Sequence, residues 1–200
     1  MTTTEEKIAV VVPADQVNGP EQGNWSYDDY AALADDGQRY EVVDGVLLMA
    51  PAPNPMHQSI SGRLYLYLYQ NVESSDLGKV FYAPLDVQLA TNTIVQPDLL
   101  VLLNANLGKI TKSRVVGAPD LVIEIASPGT AAYDRLSKFQ AYAKAGVEEY
   151  WIVNPERRSI EVAFLQNGAY ASQGVFQGSN MLPSRIVPGI ASVNVEQFFL

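Results

Sequence analysis

Leu121-Val122-Ile123-Glu124-Ile125-Ala126 restricts the fold of this chain more than any other segment. A run of β-branched and aliphatic residues without alternation reads as a strand covered on both faces. Ser127-Pro128-Gly129-Thr130 then turns the chain and can cap a following helix. That helix is expected from about residue 131 to Ala145, and it stops at Gly146, a residue suited to a left-handed C-terminus. Tyr150-Trp151-Ile152-Val153 is the next strand. A strand, a helix and a strand in this order make a parallel pair with a right-handed crossover. The class is therefore α/β, with a mixed β-sheet flanked by helices.

The remaining elements agree with that class. Ser26 can cap a helix through Tyr30, Ala31 and Leu33, ending before Gly37. Asp44-Gly45 between two β-rich runs, from Tyr40 to Met49, predicts a hairpin. After Pro51, Pro53 and Pro55, apolar residues recur at Ile60, Leu64, Leu68 and Val72, the helical period. Val80-Phe81-Tyr82 and Val87-Gln88-Leu89 read as short strands, and Ile94 to Leu103 as one apolar run interrupted by Gln96-Pro97-Asp98. Residues 1–24 carry prolines and glycines without periodicity and read as a loose N-terminal arm; residues 25–200 form the domain.

Composition removes whole classes of chemistry. With no cysteine and one histidine, His57, there is no disulfide, no zinc–thiolate site and no multi-histidine metal site within one chain. No apolar run reaches the ~18 residues of a membrane span. Glu5 and Glu6 precede the N-terminal apolar stretch, unlike a secretory signal, so a cytoplasmic location is expected. The net charge of -9 opposes coating by nucleic acid. Between residues 109 and 158, however, basic side chains outnumber acidic ones, and such a face can meet a phosphate backbone or be ordinary solvated charge.

Two acids stand inside apolar strand-like runs: Asp98, after Pro97, and Glu124. Burying an unpaired carboxylate is costly, and a hard divalent cation with oxygen ligands repays that cost. The two acids can share one magnesium, with the carbonyl of Ile125 as a further ligand. The other reading is a pair of strand carboxylates facing solvent or arginine. On the next helix Asp134, Lys138 and Tyr142 fall on one stripe. Lys138 can reach the acids and offset charge on a phosphate; an ordinary surface pair with Asp134 is the alternative. Asp120, four residues before Glu124, is expected to begin the strand rather than bind metal. Tyr65, Tyr67 and Tyr69 are expected to pack in the core or a dimer rather than stack on bases.

Pro97-Asp98 with Glu124 26 residues later resembles the acid pair of the PD-(D/E)XK nucleases. More closely, the chain is similar to the Uma-two family of restriction-endonuclease-like proteins over roughly residues 25–195. The matching text is Tyr40-Glu41-Val42-Val43-Asp44-Gly45, Pro55 with His57, Gln96-Pro97-Asp98-Leu99, Gly117 to Ile125, Ser127-Pro128, Asp134-Arg135 with Lys138 and Tyr142, Ala145-Gly146-Val147, and Glu149 to Pro155. The resemblance implies a restriction-endonuclease-like core and phosphodiester hydrolysis, most simply in DNA, with Mg2+ or Mn2+ in its place. It assigns Asp98 and Glu124 to the metal. The superfamily lysine would stand at Ala126; here Lys138 matches a position moved to the following helix. Glu41 resembles an additional acid of the core, and His57 a residue with base chemistry; a solvent-facing hairpin residue and a helix-start histidine are the alternatives. The aromatic helix is compatible with a homodimer cutting both strands. Two other classes compete: a non-catalytic interaction protein on a nuclease scaffold, and a metal hydrolase of a small phosphate ester.

Overall fold

The chain enters the fold through β1 (Val12–Pro13), and Ser26 then starts α1 (Tyr27–Ala31) with a capping box shared with Asp29. The computed structural model describes residues 11–127, 137–187 and 193–200. Of the N-terminal arm, residues 1–10 lie outside the described residues. From residue 11 the arm is laid along the hairpin, with the Ala14 amide donating to the Leu47 carbonyl at 2.9 Å. Trp25 is buried with Ala14, Tyr40, Val42, Leu47 and Ile94, so this segment contributes to its own small core.

β2 (Arg39–Val43) and β3 (Val46–Ala50) form the expected hairpin. Asp44 and Gly45 take φ of 47° and 79°, the left-handed pair that matches the twist of two antiparallel strands. α2 (Pro55–Leu68) begins where proline is pre-organised for a helix, and Asn54 caps it by accepting the His57 amide at 2.9 Å. Its buried residues, His57, Ile60, Leu64 and Leu68, keep the helical period. The helix runs on as a π-helical segment, Tyr69–Glu73.

β4 (Gly78–Tyr82), β5 (Val87–Ala90), β6 (Thr93–Val95) and β7 (Leu99–Leu103) follow. The apolar run from Ile94 to Leu103 is not one strand. β6 belongs to a sheet of order β1-β3-β2-β6-β5-β8, where β8 is Val115–Val116, and β7 belongs to another. Gln96-Pro97-Asp98 carries the chain between them. Pro97 has no amide to donate to a ladder, and the Gln96 amide donates to the Glu41 carboxylate at 2.7 Å instead.

The second sheet holds β9 (Leu121–Ile125), β10 (Glu149–Asn154), β11 (Ser159–Gln166) and β12 (Ala169–Gln177), in the order β12-β11-β10-β9-β7-β4. β9 and β10 are parallel, as expected for the strand-helix-strand unit, and every other pairing in this sheet is antiparallel. The described part of the intervening helix, α3 (Phe139–Ala145), ends at Gly146 in the left-handed region. Residues 128–136 lie outside the described residues, including Asp134 and Arg135.

β9 is covered on both faces. Leu121, Ile123 and Ile125 pack with Ile60, Leu64 and Leu68 of α2. Val122 packs on the other side with Tyr142 of α3, Tyr150, and Val43 and Val87 of the first sheet. Side chains alternate along a strand, so Glu124 shares the face of Val122, the one closed by α3 and the first sheet.

A Cβ at Gly45 would stand 2.2 Å from the Gly23 carbonyl oxygen and would hold a left-handed φ. Gly45→Ala should therefore destabilise the fold by about 1–3 kcal/mol, read as a lower urea midpoint at unchanged slope.

Candidate functional site

Glu124 is 3% exposed at the centre of the second sheet. Its Oε1 accepts from the Lys138 ammonium at 2.9 Å and from the Tyr142 hydroxyl at 2.7 Å. Lys138 stands one residue before α3 and is 4% exposed. The same ammonium lies 2.9 Å from Glu41 Oε1, on β2 of the first sheet. Lys138 and Tyr142 thus point inward and are buried rather than on a polar surface; Asp134, the third residue of that stripe, lies outside the described residues. Burial pushes the Tyr142 hydroxyl well above its ordinary range, and the negative charge of Glu124 adds to the shift.

Asp98 follows Pro97 at the mouth of β7. Its Oδ2 accepts the Ile125 amide at 2.8 Å and contacts His57 Nε2 at 3.0 Å. Its Oδ1 has no hydrogen-bond partner among the described residues. The amide and carbonyl of one strand residue point to the same edge, so the Ile125 carbonyl lies on the Asp98 side of β9. The first turn of α2 presents His57, which is 8% exposed.

These groups line one cavity: Arg39, Glu41, His57, Asp98, Glu124 and Lys138, with Gln96, Ile125 and Ser127 beside them. The cavity has a volume of about 40 Å³, more than the ~10–15 Å³ that one water needs. Among the described residues, Arg39 Nε, His57 Nδ1 and Gln96 Oε1 are buried without a hydrogen-bond partner, and all three residues line this cavity. Buried polar atoms are seldom left unpaired, so the cavity is built for a polar occupant.

The donor set fits a hard divalent cation. Asp98 is held by one oxygen with the other uncommitted, and Glu124 and Ile125 line the same cavity. Among the described residues no three or more Asp, Glu or His side chains are gathered to hold a metal.

Asp98, Glu124, Lys138, Glu41 and His57, singled out in the sequence, come together here. Asp120 does not: it accepts the Leu103 amide and the Asn106 side chain, each at 2.7 Å, and fixes the start of β9. Arg39 escaped the sequence reading. It adjoins Tyr40-Glu41, yet only the crossing from the first sheet to the second brings it to the cavity.

A family profile, Uma2, described as "Putative restriction endonuclease", matches residues 27–196. An uncharacterized protein of Synechocystis is 28% identical over 127 residues, which are 62% of this chain and 65% of that protein's length. The crystal structure of a "putative nuclease belonging to DUF820" from Anabaena variabilis superposes with a TM-score of 0.72 at 20% identity, over 88% of this chain and 97% of that one. The fold is thus the restriction-endonuclease-like one.

Removing the ammonium leaves two buried carboxylates without their shared cation. Lys138→Met should cost about 3–5 kcal/mol in chemical denaturation, and Glu41→Gln added to it should recover part of the loss. Tyr142 supplies a test by pH. Its folded-state pKa lies above the ordinary 10.0, so its contribution is complete below that value and is lost as pH rises beyond it. Tyrosinate absorbance should show Tyr142 ionising only together with unfolding, and Tyr142→Phe should flatten the fall of stability above that pH.

Proposed function

The chain belongs to the Uma2 family, and we propose that it is a metal-dependent endonuclease hydrolysing phosphodiester bonds in DNA. The observation that carries this reading is the shared cavity: two buried carboxylates from neighbouring strands, one with an uncommitted oxygen, beside a buried ammonium. Asp98, Glu124 and the Ile125 carbonyl would hold Mg2+, or Mn2+ in its place. When bound, the ion supplies Lewis-acid stabilisation of a phosphoryl oxygen and lowers the pKa of water.

The chain's own residues do the rest. Ile125 and His57 hold Asp98 Oδ2, which fixes the direction of Oδ1. With Nε2 donating to that carboxylate, His57 keeps Nδ1 as the acceptor for a proton from the attacking water. Lys138 holds Glu124 against Glu41 and offsets negative charge as it builds on the phosphate. Glu41, anchored by the Gln96 amide, positions that lysine.

We assign residues 25–200 to one nuclease domain acting in the cytoplasm; no helix among the described residues is long and apolar enough to cross a membrane. The exposed Leu66 and Tyr69 of the aromatic helix give a homodimer a contact face. The full pairing of Lys138 favours a second reading, a non-catalytic interaction protein that keeps the scaffold.

Calorimetry separates the two. The wild type should bind Mg2+ and Mn2+; Asp98→Asn, Asp98→Ala and Glu124→Ala should bind roughly two orders of magnitude more weakly and lose DNA cleavage with the circular dichroism of the fold retained. A wild type that binds neither ion, even with DNA present, rejects the nuclease and leaves the scaffold reading.

A further inference from the structure

The cavity opens along one wall into a groove between the first turns of α2 and the end of β4. Arg39, His57, Gln58, Ser61, Tyr82 and Asp98 line it, and Arg39, His57 and Asp98 belong to both spaces. Two features of this groove take no part in the chemistry above.

The first is Arg39. Its Nη2 donates to the Gln96 carbonyl at 3.4 Å, while Nε is buried without a partner. It forms no ion pair with a carboxylate among the described residues. A guanidinium fixed beside carboxylates but not spent on them retains its fork of donors for a phosphate.

The second is Tyr82. It ends β4 opposite Leu99, and the next residue, Ala83, donates its amide to the Asp98 carbonyl at 3.0 Å. Tyr82 is 58% exposed. Tyr65 braces it edge to face, with centroids 5.0 Å apart and planes at 75°. A braced and exposed tyrosine is a platform for a flat base. Gln58, exposed on α2, and Ser61 add polar groups along the same wall.

We propose that this groove binds the nucleotide next to the cleaved bond, with its phosphate on Arg39 and its base stacked on Tyr82. Bases within a duplex are covered on both faces by their neighbours, so a base on Tyr82 is out of the stack. The preferred substrate is therefore single-stranded DNA, or DNA opened at that nucleotide. The inference rests on the nuclease reading and specifies its substrate.

The test measures binding without turnover: fluorescence anisotropy of a labelled single-stranded oligodeoxynucleotide, and of the duplex of the same sequence, with Ca2+ present. The wild type should bind the single strand more tightly than the duplex. Tyr82→Ala should weaken the single strand on the order of tenfold, and Tyr82→Phe should restore it. Arg39→Gln should lower the slope of log affinity against log salt by about 0.7, the value of one phosphate contact on a single strand, whereas Tyr82→Ala leaves the slope unchanged. Mg2+ calorimetry on each variant confirms an intact neighbouring site. Equal binding of duplex and single strand, or variants that bind as the wild type does, overturns the groove assignment while the metal site stands. Loss of metal binding by the wild type is the separate failure of the nuclease reading.

Discussion

One ammonium, on Lys138, lies 2.9 Å from a carboxylate on each of two sheets. Glu41 comes from β2 and Glu124 from β9, and the chain reaches Lys138 only after leaving β9. Buried ion pairs stabilise weakly, because desolvation takes back most of the Coulomb gain. Their consequence here is positional. The contact fixes the separation of the sheets at the point where the cavity opens, and it makes the direction of α3 part of the site. The arrangement is not balanced in charge: two carboxylates face one ammonium. The Tyr142 hydroxyl and the Gln96 amide contribute donors to the same acids. With Asp98 added, three carboxylates line the cavity with one ammonium and the Arg39 guanidinium, and Asp98 keeps one oxygen without a hydrogen-bond partner among the described residues.

Pro97 is the second determinant. An apolar segment would ordinarily continue in one ladder. A residue without an amide proton cannot complete that ladder, and the chain steps from the first sheet to the second at this point. The step sets Asp98 at the strand mouth, where the Ile125 amide and His57 can hold one oxygen. It also leaves the Gln96 amide for Glu41, so one local break supports both acids. The end of β4 lies beside the same step, and for that reason Tyr82 and Arg39 flank a single groove.

Much of this was legible in the sequence because it depends on local pattern. The Asp44-Gly45 turn follows from left-handed backbone preferences, the four-residue rhythm of α2 from helix geometry, and the buried character of β9 from a run with no polar alternation. That Asp98 and Glu124 are buried with partners was legible for a related reason: a carboxylate within an apolar run requires compensation. Lys138 was legible from its resemblance to a family pattern, and its reach to Glu124 was one of two readings of its position; its second partner, Glu41, was not legible, since the helical period does not say which sheet the helix faces.

The sequence by itself determined the hairpin turn, the period of α2 and the parallel unit around β9, because each is set by residues close together in the chain. The tertiary structure alone decided that the apolar run divides between two sheets, that Glu41 and Glu124 share Lys138, that Asp120 stays apart, and that Arg39 and Tyr82 border the site. Those outcomes depend on how two sheets and α3 close over one face of β9, a packing choice that no local period encodes.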